Sequence, residues 1–110
     1  MSNESPFAIL SGLLRPYAPQ MTVKADTGET YLLEEERSGP KPRMFGKAQI
    51  GKRYTSLHLM GVYCRPELLD GMSDALRKRM QGKSCFNFTK AEQIPRAELE
   101  RLIRRCYESL

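Results

Sequence analysis

The sequence contains few of the side chains that usually build catalytic or metal centres. It has a single histidine, His58, and three cysteines with no Cys-x-x-Cys pair. Zinc sites usually combine closely spaced ligand pairs, so no zinc motif is recognisable, and we expect no metal and no cofactor. Unpaired Cys64, Cys85 and Cys106 are typical of reduced thiols in a cytoplasmic protein.

Long apolar segments are also missing. No run approaches the roughly 20 residues that a transmembrane helix requires. The start of the chain lacks a basic region, and the apolar stretch that follows is interrupted by Ser11 and Gly12, so a signal peptide is not expected. We therefore expect no membrane partner and a cytoplasmic location.

Acidic residues are scarce in the larger part of the chain. Residues 1–36 carry two basic and six acidic side chains, a net charge of −4, whereas residues 37–110 carry 16 basic and seven acidic ones, a net charge of +9. Such asymmetry indicates either an anionic partner or an ordinary solvated surface. With 110 residues, 40% of them hydrophobic, the chain is expected to form one α+β domain, residues 1–110.

The first third of the sequence predicts a helix and a hairpin. Ser5-Pro6 is a good helix start, and Pro16 and Pro19 end the apolar stripe that follows. Two strand-like segments, Met21–Ala25 and Tyr31–Glu35, then bracket a turn. The proline-rich segment Arg37–Arg43 predicts a loop.

The block from Met44 to Thr89 carries the strongest local patterns. Alternating polarity predicts two strands around a Gly51-Lys52 turn, a third strand after Gly82, and a helix between them. A last amphipathic helix closes the chain. The predicted elements are the strands Met44–Ile50, Arg53–Tyr63 and Ser84–Thr89 and the helices Pro66–Gln81 and Pro95–Glu108. Three helices on one face of an antiparallel sheet form the expected α+β two-layer sandwich.

Polar residues at outward strand positions form the predicted binding site. If the central strands are neighbours, their outward side chains share the face of the sheet that no helix covers. Lys47 and Lys83 are expected at the rim of this face. The candidate ligand-binding residues are Tyr54, Ser56, His58, Cys85, Asn87, Lys47 and Lys83. The partner is a small ligand or a protein, and a homodimer through this partly apolar face is an alternative.

Catalytic interpretations find little in the sequence. Gly82-Lys83-Ser84 resembles the end of a phosphate-binding loop, but a strand follows it where that loop needs a helix. A nucleophilic pair of His58 and Cys85 would require a lowered thiol pKa. We therefore predict a binding domain that is not an enzyme. Nucleic-acid binding through the basic surface is a further alternative.

The central block also resembles a known family. Residues 45–50, 54–60, 66–69 and 78–88 look like the uncharacterised YdhG-like domain family, and Gly82-Lys83-Ser84-Cys85-Phe86-Asn87-Phe88 is the most specific part. The resemblance implies an α+β domain with an antiparallel sheet, distantly frataxin-like in shape, and most such domains have no assigned activity. Because some relatives have been proposed to handle iron, an iron-binding or iron-chaperone-like function, with Glu34–Glu36 as the acidic cluster, is an alternative.

Overall fold

The fold is an antiparallel sheet with helices against one face, described for residues 5–35 and 43–109 by a computed structural model. Within these residues the six strands lie in the order β1-β2-β3-β4-β6-β5. The strands are β1 (Met21–Asp26), β2 (Thr30–Glu35), β3 (Met44–Ile50), β4 (Thr55–Leu59), β5 (Met80–Gln81) and β6 (Cys85–Phe88), and the helices are α1 (Pro6–Leu14), α2 (Met60–Cys64), α3 (Asp74–Arg77) and α4 (Arg96–Glu108). The predicted α+β class is confirmed.

The N-terminal elements form where the sequence predicts them. The backbone N–H of Ala8 donates to the side chain of Ser5, which caps α1, and Pro6 takes the first helical position. A 3-10 turn with two prolines, Arg15–Gln20, leads into the β1–β2 hairpin. The register of this hairpin shifts between Val23 and Ala25, which leaves Lys24 as an additional residue on the edge strand.

The core lies between the sheet and the helices. Alternation places Tyr31, Ala48, Leu57 and Phe86 in one cross-strand row, and all four side chains are buried. Helix α1 packs on β3 and β4 from the same side, and α4 packs against α1. Buried side chains of the two helices complete the core: Leu10, Leu14, Leu99, Leu102, Ile103 and Cys106. Within the described residues, no helix covers the other face of the sheet, which is called the open face below.

The predicted strand Arg53–Tyr63 is wrong at its C-terminal end. Strand β4 stops at Leu59, and the chain turns into α2. The turn buries Val62 and leaves Tyr63 55% exposed, the reverse of the two faces that continued alternation predicts. Gly61 favours this arrangement because a Cβ there would lie 3.0 Å from the Cβ of Cys106, so a larger residue would require α2 and α4 to shift slightly apart.

The predicted helix Pro66–Gln81 is also wrong. The segment forms a 3-10 turn at Pro66–Leu69, then the short helix α3 and the edge strand β5. Gly71 adopts a φ of 81°, which ends any helix, and the side chain of Ser73 caps a new one by accepting from the N–H of Leu76 at 3.2 Å. Gly82, expected at a helix end, has a φ of 75° in the β5–β6 turn instead.

The remaining elements agree with the predictions. Phe86 and Phe88 of β6 are buried, and α4 begins one residue after the predicted Pro95. Positions 37–42 of the predicted Arg37–Arg43 loop lie outside the described residues. In the described ranges, no helix combines the length and the apolar character that crossing a membrane requires.

Candidate functional site

Five of the predicted side chains lie together on the open face, in two adjacent cross-strand rows. Lys47, His58 and Cys85 are direct neighbours on β3, β4 and β6, so the prediction that Lys47 lies at the rim is wrong because β3 is an inner strand. Ser56 and Asn87 are opposite each other in the next row. All five side chains are half-buried, because neighbouring rows shield one another on a sheet surface. Strand alternation predicts the shared face, and the pairing of β4 with β3 and β6 brings these residues together.

Tyr54 and Lys83 lie outside the two rows. Tyr54 precedes β4 in the β3–β4 connection and is 47% exposed. Lys83 is exposed in the β5–β6 turn, and its Nζ lies 6.0 Å from the centroid of the Tyr63 ring. Since the β3–β4 connection and the β5–β6 turn flank opposite ends of β4, these two residues can contribute only to the borders of the site.

Ser84 is the close partner of His58, and sequence reasoning did not assign it to the site. Its Oγ lies 2.7 Å from Nε2 of His58, and the residue is only 5% exposed. Its backbone carbonyl accepts from the N–H of Leu59 at 3.0 Å, which fixes the position of the hydroxyl. Burial, and then the charge of Lys47, lower the pKa of His58, so the imidazole is neutral at pH 7.

Cys85 completes the row as a protonated thiol. Burial raises its pKa, although a hydrogen bond with Ser56 and the charge of Lys47 act in the opposite direction. The thiol Sγ also lies 3.6 Å from Oδ1 of Asn87. A thiolate–imidazolium pair needs a lowered thiol pKa and a protonated histidine, and the shifts at Cys85 and His58 have the opposite directions. This geometry suits hydrogen bonding better than nucleophilic chemistry.

Glu34 and Glu35, the two described members of the acidic triplet, do not converge. Glu34 is half-buried, and its Oε1 lies 3.9 Å from Nζ of Lys24. Glu35 is on the other face, where Nε of Arg43 donates to its Oε2 at 2.9 Å. Glu36 lies outside the described residues. No group of three or more histidine, cysteine or acidic side chains suited to a metal ion occurs in residues 5–35 and 43–109.

The basic residues of the central block are spread over several places on the sheet. Lys52 and Arg53 occupy the β3–β4 connection, and Lys83 lies in the β5–β6 turn at the opposite end of β4. Arg79 precedes β5, and its carbonyl accepts from the N–H of Asn87, the partner of Ser56 on β4. A five-residue strand spans about 13 Å between its first and last Cα atoms, so Lys52 and Arg53 are separate from Lys83.

A cluster that the sequence did not predict lies beside the end of β2. Arg43 Nη1 donates to Sγ of Cys64 at 3.4 Å, and Nε of the same guanidinium donates to Oε2 of the buried Glu35. These residues line a cavity of about 710 Å3 together with Arg65 and Tyr107. In the sequence, only the opposite charges of Arg43 and Glu35 indicate this pairing. The fold of β2, β3 and α2 brings the partners together, and the sequence pattern does not show that.

The two rows of the open face thus consist of hydrogen-bonding side chains, one of which is a lysine. Comparison with known proteins gives no further indication of function. The resemblance to YdhG-like domains stays a prediction, since no family model matches the chain and neither a curated protein nor a solved structure is significantly similar to it.

Proposed function

We propose that this domain is a non-enzymatic binding module that contacts a protein partner through the open sheet face. The observation that carries the proposal is the pair of adjacent rows formed by Lys47, His58, Cys85, Ser56 and Asn87. Each of these side chains can donate or accept a hydrogen bond. They stand on paired strands of a sheet whose other face is filled by the core, so their spacing is fixed before a partner arrives.

The shape of the face favours a protein over a small molecule. Small-ligand sites are concave and enclose most of the ligand surface. The cavity beside Arg43 and two smaller cavities along α4 are lined by residues outside the two rows. Surfaces that combine polar and apolar side chains, as this face does, are typical of protein interfaces.

The charge of the face indicates the chemistry of the partner. Lys47 is the charged member of the five, because His58 is neutral and Cys85 is protonated at pH 7. A carboxylate of the partner would pair with Lys47 and accept hydrogen bonds from its neighbours. A symmetric homodimer whose two-fold axis passes close to Lys47 would instead bring two copies of this lysine towards each other, which costs electrostatic energy. We therefore propose an acidic protein partner that is not a second copy of this chain.

A cytoplasmic location is part of this proposal. All three cysteines are free thiols in the described structure, and Cys64 is exposed. Exposed free thiols persist in reducing compartments and are oxidised outside them.

Site-specific photo-crosslinking in cells of the source organism tests the proposal. A photoreactive amino acid at Gln49, which lies beside Ser56 on the open face, is expected to give an adduct with one protein. The same amino acid at Glu100, exposed on α4, serves as the position control and should not give it. Lys47→Glu should abolish the adduct, whereas Lys52→Glu, with the same change of charge in the β3–β4 connection, should preserve it.

Each other outcome has a defined meaning. An adduct between two copies of the chain would replace the acidic partner by a homodimer. A nuclease-sensitive adduct would favour the nucleic-acid alternative. Absence of any adduct specific to Gln49 would overturn the proposal that this face is a binding surface.

A further inference from the structure

A second concave surface lies on the helical side of the molecule, away from the open face. It is a cleft of about 290 Å3 between α4 and the chain that follows the 3-10 turn at Pro66–Leu69. Leu69, Met72, Leu76 and Leu102 provide an apolar floor. A cavity of about 150 Å3 accommodates benzene, so 290 Å3 accommodates roughly ten to twelve non-hydrogen atoms.

Two arginines line the same cleft on successive turns of α4. Arg101 and Arg105 are four residues apart and therefore share one face of the helix, where like charges repel each other. In the described part of the chain, neither guanidinium forms an ion pair or a side-chain hydrogen bond. Each guanidinium thus keeps its donors available for a ligand.

The acidic residues of the cleft differ in what they can still bind. Both carboxylate oxygens of Glu98 are occupied by Ser73, whose N–H donates at 2.7 Å and whose hydroxyl donates to the other oxygen. Asp70 is exposed and makes no ion pair with Arg101 or Arg105 among the described residues. The charged lining of the cleft therefore comprises two carboxylates and two guanidinium groups, and of these only the guanidinium groups can donate hydrogen bonds to an anionic ligand.

From this combination we propose that the cleft binds a small amphipathic carboxylate. The apolar chain of the ligand lies on the leucine and methionine floor, and its carboxylate lies between Arg101 and Arg105. Guanidinium groups bind carboxylates through paired hydrogen bonds, and the bound charge removes the repulsion between the two arginines. The site is independent of the proposed protein-binding face, so either proposal can fail without the other.

Binding of three eight-carbon probes to the whole chain, followed by two-dimensional NMR, tests the proposal. Octanoate is expected to bind saturably and to shift the signals of Met72 and Leu102. Octan-1-ol should bind at least tenfold more weakly, and octylammonium should not saturate the site. This order of affinities distinguishes recognition of the carboxylate from binding of the apolar chain alone. If the apolar chain alone were bound, the three probes would bind equally well.

Matched variants assign the charge recognition to the two arginines. Arg101→Gln with Arg105→Gln should weaken octanoate binding at least tenfold while the remaining spectrum stays that of the folded protein. Lys52→Gln with Arg53→Gln removes the same charge from the distant β3–β4 connection and should leave octanoate binding within twofold of the original. Absent octanoate binding, equal binding of the three probes, or equal losses in both double variants would each overturn the proposal.

Discussion

The Ser84 hydroxyl oxygen lies 2.7 Å from Nε2 of His58, and the residue that carries it is almost fully buried. This contact joins the β5–β6 turn to the centre of the open face. It also fixes one edge of the imidazole, so the environment of the ring is set by the fold itself. The titration of His58 therefore reports directly on the state of the open face.

We expect His58 to titrate below its ordinary pKa of 6.5, because burial and then Lys47 disfavour the imidazolium. Lys47→Met should raise this pKa while leaving it below 6.5, since burial, the larger cause, persists. NMR titration of the imidazole signal is unambiguous because the chain has a single histidine. A pKa at or above 6.5 in the unchanged protein would contradict this environment.

The same shift predicts how stability depends on pH. As the pH falls below 6.5 the unfolded chain binds a proton at His58 that the folded protein resists, so the free energy of unfolding decreases down to the lower folded-state pKa. Above 6.5 this contribution is constant. Urea unfolding between pH 7.5 and 5.5 should show the decrease in the original protein and a smaller one in His58→Gln.

The three thiols should react in a fixed order. Cys64 is exposed, Cys85 is half-buried with a raised pKa, and burial raises the pKa of Cys106 to about 11. Iodoacetamide at pH 8 should therefore modify Cys64 first and Cys106 only when the protein unfolds, because the thiolate is the reactive form. Peptide mass spectrometry over time measures the order. Equal rates at Cys64 and Cys106 would be inconsistent with the packing of α4.

Gly61→Ala should destabilise the fold. The added Cβ would lie 3.0 Å from the Cβ and 3.1 Å from the Sγ of Cys106, and such overpacking costs about 1–3 kcal/mol. Gly12→Ala is the matched control, because its Cβ meets nothing within 4 Å and alanine improves helix α1 by about 0.5–1 kcal/mol. Thermal unfolding should separate the two variants in opposite directions, and equal shifts would rule out the close approach of α2 to α4.

Ser73 and Glu98 should behave as one coupled pair. Ser73→Ala removes the cap of α3 together with a hydrogen bond to Glu98, and loss of such a cap costs about 0.5–2 kcal/mol. Because Glu98→Ala removes the same contact, the double variant should cost less than the two single changes together. Denaturant unfolding of the four proteins measures the coupling. Additive losses would show that the contact contributes nothing to stability.

The sequence predicted the face on which these strand residues lie better than it predicted the connections around them. Strand alternation places Ser56 and His58 outward wherever the strand begins, so an error at its ends does not move them. Tyr63 was misplaced because alternation alone does not show that a strand becomes a helix. That change depends on the contact of Gly61 with Cys106, which is distant in sequence and is visible only in the folded molecule.

The failure between Pro66 and Gln81 has a local cause. Its apolar residues do recur with helical spacing, and Leu76 is buried, but Gly71 and Ser73 encode a break and a new cap. Glycine and serine are recognisable break and cap signals in the sequence, but the helical spacing of the apolar residues predicts one continuous helix. The partner that stabilises the break, Glu98 on α4, could not be predicted because it comes from a remote segment.

The two outer strands determine how this sheet can associate with other molecules. Strand β5 has two residues, and β1 is distorted by the additional Lys24, so neither edge presents a long, regular row of backbone groups. Such edges resist strand-to-strand polymerisation, the route by which exposed sheets form fibrils. The molecule is thereby protected although no helix of residues 5–35 and 43–109 covers the open face, and contact with the sheet is directed to side chains instead of the backbone.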